Sequence, residues 1–315
     1  MTATRSCGKR KAEAEMRSTR YLLSFKTRRN LIGYLFVLPA LIFFVVFVLL
    51  PLGLSVYLSF FRTDMFFSEM EFIKFANYTR VFHDKLYWTS VRNILVYTVM
   101  AVPLNVAFSL LLAALVNSKL KGVKVFRVLY YLPSVTSAVA ASTVWLWLMN
   151  PGYGLLNTML DAVGLPSATW LSHSSSALFS VTLVTVWQGV GANMVIFLAA
   201  LQNMPAQVYE AARIDGANKF TIFFRMTLPL IAPTMFFILT MTLIGAFQLY
   251  DQVYVLTSGG PANSTMTPVY LIWQNSFGTN AGPQAGYAAA QSFVLFVMIM
   301  AVTIVVRRLD RDNTK

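Results

Sequence analysis

Six segments of this chain contain no Asp, Glu, Lys, Arg or His: residues 31–59, 94–116, 128–149, 178–202, 228–249 and 286–306. Each is long enough to cross a hydrocarbon layer about 30 Å thick, which takes roughly 20 apolar residues as a helix. Inside lipid every backbone polar group must be satisfied by the structure itself, and a continuous apolar run does this as an α-helix. The chain is therefore expected to be all-α, a polytopic membrane protein with six transmembrane helices. Composition agrees: 57% of residues are hydrophobic and 12% charged, against about a quarter charged in soluble domains. The mean hydropathy is +0.61. The first run is too long for a signal peptide, and no small-residue cleavage site follows it. Pro51, Pro103, Pro133 and Pro233 fall in or near the runs, where neighbouring helices can take up the freed carbonyls at a kink.

Basic residues set which side the loops face, because lysine and arginine accumulate on the cytoplasmic side. The N-terminal tail carries nine, and the loop after the second run four (Lys119, Lys121, Lys124, Arg127). The loop after the fourth run carries three (Arg213, Lys219, Arg225) and the C-terminal tail four. These are 20 of the 25 lysines and arginines; the other five lie between the first two runs, beside four acids. Residues 150–177 and 250–285 hold none. Both termini, and the loop after the fourth run, are expected to be cytoplasmic in a cell (plasma or inner) membrane.

Several function classes fall away on the same evidence of charge. A net charge of +13 could suit nucleic acid, but the basic residues cluster at the ends of apolar runs without aromatic interleaving or a binding module. No nucleic-acid partner is expected; membrane lipid is. Cys7 is the only cysteine and has no internal partner for a disulfide. His83 and His173 stand far apart without ligand-type neighbours, so no metal site is expected. Ion-driven transporters keep ionisable groups at membrane depth, and intramembrane enzymes need acids, bases or metal ligands there; the runs hold neither set. A phosphate-cradling GxxxxGK[ST] loop is also missing. The chain is expected to have no catalytic residues and no cofactor of its own, with any ATP bound elsewhere.

Uncharged polar side chains do sit in the late runs. The fourth holds Thr185, Trp187, Gln188, Gly189, Gly191 and Asn193, and the fifth ends in FQLYDQVY, with Gln248, Tyr250 and Asp251. Amides and aromatic faces suit a neutral polyhydroxylated ligand. Thr185, Gln188, Gly189, Asn193, Gln248, Tyr250 and Asp251 are therefore candidate ligand-binding residues. The same residue types also anchor helices at interfaces and glue them together, and Asp251 also suits gate closure at the outer end of its helix.

Between the fourth and fifth runs stands a polar island, YEAARIDGANKF at 209–220. Residues 203–228 read as two short helices joined by a turn. Pro205 suits a first helical turn, Glu210 and Arg213 are spaced to pair on one face, and Gly216 can end the first helix in a left-handed conformation. Ala211 and Ala212 would leave a low-relief surface. Glu210-Ala211-Ala212, three residues, Gly216, nine residues and Met226-Thr227-Leu228-Pro229 resemble the EAA loop of ABC-importer permeases, EAA-x3-G-x9-I-x-LP. Met226 stands where that pattern has isoleucine. YDQVYVLTSGGP at 250–261 resembles an outer-facing stretch of permeases of the carbohydrate-uptake class, and the likeness extends over roughly residues 90–308.

The resemblance implies the type I permease fold of ABC importers and an organisation in four parts. These are a basic cytoplasmic tail (1–30), an additional first helix with its outer loop (31–90), a core permease domain (91–308) with its coupling loop at 203–228, and a cytoplasmic tail (309–315). It implies that Glu210, Ala211, Ala212, Arg213, Asp215 and Gly216 contact or shape the contact with an ATPase. It further implies a second homologous permease, two ABC ATPase subunits that bind Mg-ATP, and an extracytoplasmic sugar-binding protein. The implied function is import of a neutral sugar, a di- or oligosaccharide. The alternatives are glycerol phosphate or another small solute within the same family, and an ion-driven secondary transporter outside it.

Overall fold

The computed structural model describes residues 30, 32–64, 66, 69–117, 122–278 and 284–313, except for the side chains of 206, 211, 213 and 309–313. The basic tail at 1–29, Lys119, Lys121 and Lys315 lie outside the described residues. The chain divides into two units, Met1–Tyr57 and Leu58–Lys315. The first holds all but the last residue of helix α1 (Ile32–Leu58), the first apolar run. It widens into a π-helical turn at Val45–Leu49, just before Pro51. A proline ring crowds the carbonyl four residues back and offers it no N–H, and the wider turn relieves that crowding.

The second unit opens with a two-residue antiparallel pair, β1 (Phe61–Arg62) and β2 (Glu71–Phe72), with Phe61 opposite Phe72. Helices follow: α2 (Ala76–His83), α3 (Lys85–Val116), α4 (Val123–Val135), α5 (Ala138–Leu148), α6 (Leu155–Ala162) and α7 (Ser174–Gln202). After them come α8 (Ala206–Ile214), α9 (Lys219–Leu230), α10 (Ala232–Phe247), α11 (Asp251–Leu256), α12 (Pro268–Phe277) and α13 (Ala285–Asn313).

Among the described residues four helices are long and apolar enough to cross a membrane: α1, α3, α7 and α13. A fifth arises if α9 and α10, bent by 68° at their junction, form one span. The third apolar run, 128–149, is two helices where one was expected. Pro133 lies near the end of α4, and the helix stops at an extended Thr136. There Ser134 Oγ donates to Tyr131 O (2.7 Å) and Thr136 Oγ1 to Pro133 O (2.7 Å), local bonds that compete with helix continuation. The second run begins at Lys85 because Asp84 caps it, accepting from the N–H groups of Leu86 (2.8 Å) and Tyr87 (3.3 Å).

α7 is the centre of this unit, packed against α3 and α4. Ala177, Val181, Val184, Met194, Leu198 and Leu201 are buried, at the three-to-four-residue spacing of one helix face. Two apolar clusters result. One joins Val91, Ile94 and Tyr97 of α3 to Val181 and Val184 of α7 and to Phe247. The other joins Leu110 and Ala113 of α3 to Phe197 and Leu201, and to Ile231 and Ile238. This second cluster clamps the C-terminal end of α7 to the start of α10, the two ends between which α8 and α9 are inserted.

Candidate functional site

The polar island folds as a two-helix elbow. Around Gly216, at φ +75°, the Ala217 N–H reaches back to Ala212 O (2.9 Å), the bond that closes a helix over a left-handed residue. Asn218 caps α9 by accepting the Thr221 N–H (2.8 Å). α9 widens into a π-helical turn at Phe223–Thr227 before Pro229, repeating the arrangement at Pro51. Tyr209 Oη bonds Thr227 Oγ1 (3.1 Å) and Met204 Sδ (2.9 Å), so α8 is clipped to both flanking segments.

Glu210, Asp215 and Gly216 are exposed on this elbow. Ala212 is not: at 1% exposure it packs inside the chain, so its small side chain serves the interior and adds nothing to a low-relief outer surface. Ala211 and the Arg213 half of the expected Glu210–Arg213 pair fall on side chains outside the described ones. The surface instead presents Ile214, 86% exposed, and Phe220, 78% exposed.

A second constellation lies between α3, α7 and α10. A cavity of about 290 Å³ is lined by Asn105, Thr185, Gly189, Asn193 and Thr242, with Tyr97 and Met241 beside them. Asn193 Nδ2 donates to Asn105 Oδ1 (2.7 Å) and to Thr242 Oγ1 (3.0 Å), tying three helices at one point. Ser109 Oγ donates to Val190 O (3.1 Å) beneath them. Gly189 is required by this packing: a Cβ there would stand 2.7 Å from Asn105 Nδ2.

The candidate ligand residues therefore separate. Thr185, Gly189 and Asn193 recur every four residues and share the cavity wall. Gln188 points elsewhere; it donates to Thr136 O (3.2 Å) and accepts from Gln252 Nε2 (3.0 Å). Gln248 and Asp251 are exposed beyond the end of α10. Tyr250 belongs to an aromatic cluster, its ring 5.7 Å from Tyr254 and 5.9 Å from Trp273, with Tyr270 stacked on Trp273 at 6.0 Å. Burial, with Tyr254, Asp251 and Tyr270 nearby, holds the Tyr250 hydroxyl above its ordinary value, so it remains a neutral donor. Among the described residues no group of three or more His, Cys, Asp or Glu side chains is placed to hold a metal ion.

Residues 93–315 match the family model of the binding-protein-dependent transport system inner membrane component. The chain belongs to this family. It is a permease of the ABC-importer type. "Probable ABC transporter permease protein YurN" of Bacillus subtilis strain 168 is 35% identical over 281 residues, spanning 88% of this chain and 95% of that protein. The sn-glycerol-3-phosphate transport system permease protein UgpA of Yersinia enterocolitica is 36% identical over 275 residues, spanning 86% of this chain and 91% of that one. A crystal structure of a bacterial ABC transporter that imports the acidic polysaccharide alginate superposes with a TM-score of 0.80, at 22% identity, over 93% of this chain and 99% of that chain. That likeness is one of fold.

Two parts of this permease went unread in the sequence. Asn105 and Thr242 complete the cavity wall; Asn105 is the one amide in the run 94–116, whereas Thr242 is one of three threonines in the run 228–249. Ile214 and Phe220 carry neither charge nor motif, and their one mark in the sequence is an apolar side chain within a polar loop.

Proposed function

We propose that this permease carries a neutral sugar of di- or oligosaccharide size, as one transmembrane half of an ATP-driven importer. The observation that carries the substrate class is the cavity wall, where amides and hydroxyls converge and the described lining includes no Lys, Arg, His, Asp or Glu. A polyol satisfies such a wall without leaving a charge unpaired in a low-dielectric site. By its name UgpA handles sn-glycerol-3-phosphate, the runner-up cargo; a phosphate in this cavity would need a cation, which a second permease would have to supply. At 290 Å³ the cavity is near the lower limit of ligand pockets, roughly 300–1,000 Å³, as suits one wall of a shared pathway.

The elbow is the surface on which an ATPase docks. Glu210, Arg213 and Asp215 supply charge, Ile214 and Phe220 apolar area, and Ala211 and Gly216 belong to the EAA pattern. Two ATPase subunits bind Mg-ATP, and a second homologous permease and an extracytoplasmic sugar-binding protein complete the assembly. Counting α4 with α5, and α9 with α10, as single broken spans gives six crossings with both termini and the elbow cytoplasmic. Family membership sets the ion-driven alternative aside.

The test is ATP hydrolysis by the reconstituted four-component complex, driven by its binding protein loaded with neutral oligosaccharides or with sn-glycerol-3-phosphate. Stimulation by a neutral sugar is expected. Replacing Asn193 or Thr242 by alanine should reduce it several-fold, because one hydrogen bond to a neutral ligand is worth about 0.5–1.5 kcal/mol. Stimulation by the phosphate alone overturns the substrate class.

A further inference from the structure

A groove between α10 and α13 shares only Met241 with the cavity described above. Pro233, Phe236, Phe237, Thr240 and Met241 line one side, and their spacing sets them along a single face of α10. Thr303 and Arg307, one turn apart on α13, line the other, and the enclosed volume is about 340 Å³. From Pro233 to Met241 the groove runs about 12 Å, at 1.5 Å per residue. Apart from the Thr240 hydroxyl it is apolar towards the Met241 end, and Arg307 makes the Pro233 end cationic. Because α10 follows directly from α9, the cationic end is the elbow end of the bundle. Arg307 is exposed and makes no ion pair or hydrogen bond with any described residue. Thr303 Oγ1 is buried without a hydrogen-bond partner.

We propose that this groove binds an anionic phospholipid, with an acyl chain along Phe236, Phe237 and Met241 and the phosphodiester on Arg307. The charge pattern identifies the occupant. An apolar stripe ending in one unpaired guanidinium at the end of a membrane helix complements an anionic headgroup with its chain. A guanidinium matches phosphate with paired donors that an ammonium lacks. A neutral sugar would leave the Phe faces covered and the cation unanswered. A helix of a second permease could cover the apolar stripe, but it would need an acid at this depth to answer Arg307. The site also has a mechanical consequence. α10 is the helix into which the elbow leads, so a lipid wedged against its first two turns would bias the movement that the elbow transmits.

The proposal rests on the chain spanning a membrane and is independent of the cargo, so its readout is separate from the sugar assay. The assembled importer is purified in detergent and offered phosphatidylglycerol or phosphatidylcholine, and the lipid retained per complex is counted by native mass spectrometry. Retention of phosphatidylglycerol over phosphatidylcholine is expected. Arg307→Gln should cut that preference about fivefold, as loss of one basic contact to an anionic lipid implies. Arg308→Gln, next in sequence but absent from the groove, should leave it unchanged. Equal retention of the two lipids overturns the proposal, and so does an Arg307→Gln complex with the wild-type preference. A cysteine at Phe237 that cross-links to the second permease, without any lipid preference, would assign the groove to that subunit instead.

Discussion

Asn105 is 5% exposed in the middle of a helix built from aliphatic side chains, where an unsatisfied amide is costly. It is tolerated because Asn193 donates to it and Gly189 leaves it room. These three residues therefore act as one unit. Asn105→Leu should remove the acceptor of the 2.7 Å bond, and Asn193→Leu should remove the donor. The double variant should be more stable than the sum of the two losses, with a coupling of about 0.6–1.7 kcal/mol, the scale of interhelical hydrogen bonds in membrane proteins. Thermal unfolding of the purified complex measures it, and strictly additive losses would show that the bond holds nothing. Gly189→Ala should mimic Asn105→Leu, because the new methyl displaces the amide without deleting it.

The elbow is the element whose shape was most legible in sequence. Its caps and breaks are local events: Pro205 precedes α8, Gly216 supplies the left-handed turn, and Pro229 follows the second segment. Its burial pattern was less legible, because whether Ala212 faces inward depends on packing that no local rule contains. The break between α4 and α5 is an intermediate case. Pro133 announced a disturbance, but only the bonds of Ser134 and Thr136 turn a kink into an interruption. The elbow's rigidity suggests a graded experiment. Gly216→Val places a Cβ on a backbone at φ +75°, which costs about 1–2 kcal/mol and distorts the turn. Glu210→Lys reverses an exposed charge, and like-charge contact across an interface costs several kcal/mol. Both should lower uptake and ATPase co-purification about tenfold or more, with the permease still inserted. Tyr209→Phe removes the clips to Thr227 and to Met204 and should reduce uptake several-fold without releasing the ATPase. Full uptake by all three variants, with the ATPase still bound, would show that the elbow does not transmit force.

At the scale of the molecule, four of the six apolar runs coincide with single helices long enough to cross a membrane, because length and lack of charge are properties of each segment alone. The number of crossings is less direct, since one apolar run is interrupted between α4 and α5, and α9 and α10 are bent by 68° at their junction. Which end faces which compartment follows from the helix order together with the charges. α7 has 29 residues and is about 43 Å long, so Ser174 and the elbow stand at opposite ends of a helix that more than spans the hydrocarbon. α10 starts at the elbow and returns to Asp251 at the far end. Arg213, Lys219 and Arg225 mark the elbow end, whereas residues 150–177 and 250–285 carry no lysine or arginine. On this asymmetry the proposed orientation has the elbow in the cytoplasm. Ser174, Asp251 and Lys219 are all exposed, and each can be replaced by cysteine in a Cys7→Ser background. An impermeant thiol reagent applied to intact cells or spheroplasts should label the cysteines at 174 and 251 and spare the one at 219 until the membrane is opened. The reverse pattern would turn the elbow outward, away from any cytoplasmic ATPase, and would overturn the docking role along with the orientation. Labelling at 174 without labelling at 251 would leave the elbow cytoplasmic but show that the bent pair α9–α10 re-enters on its own side and does not cross.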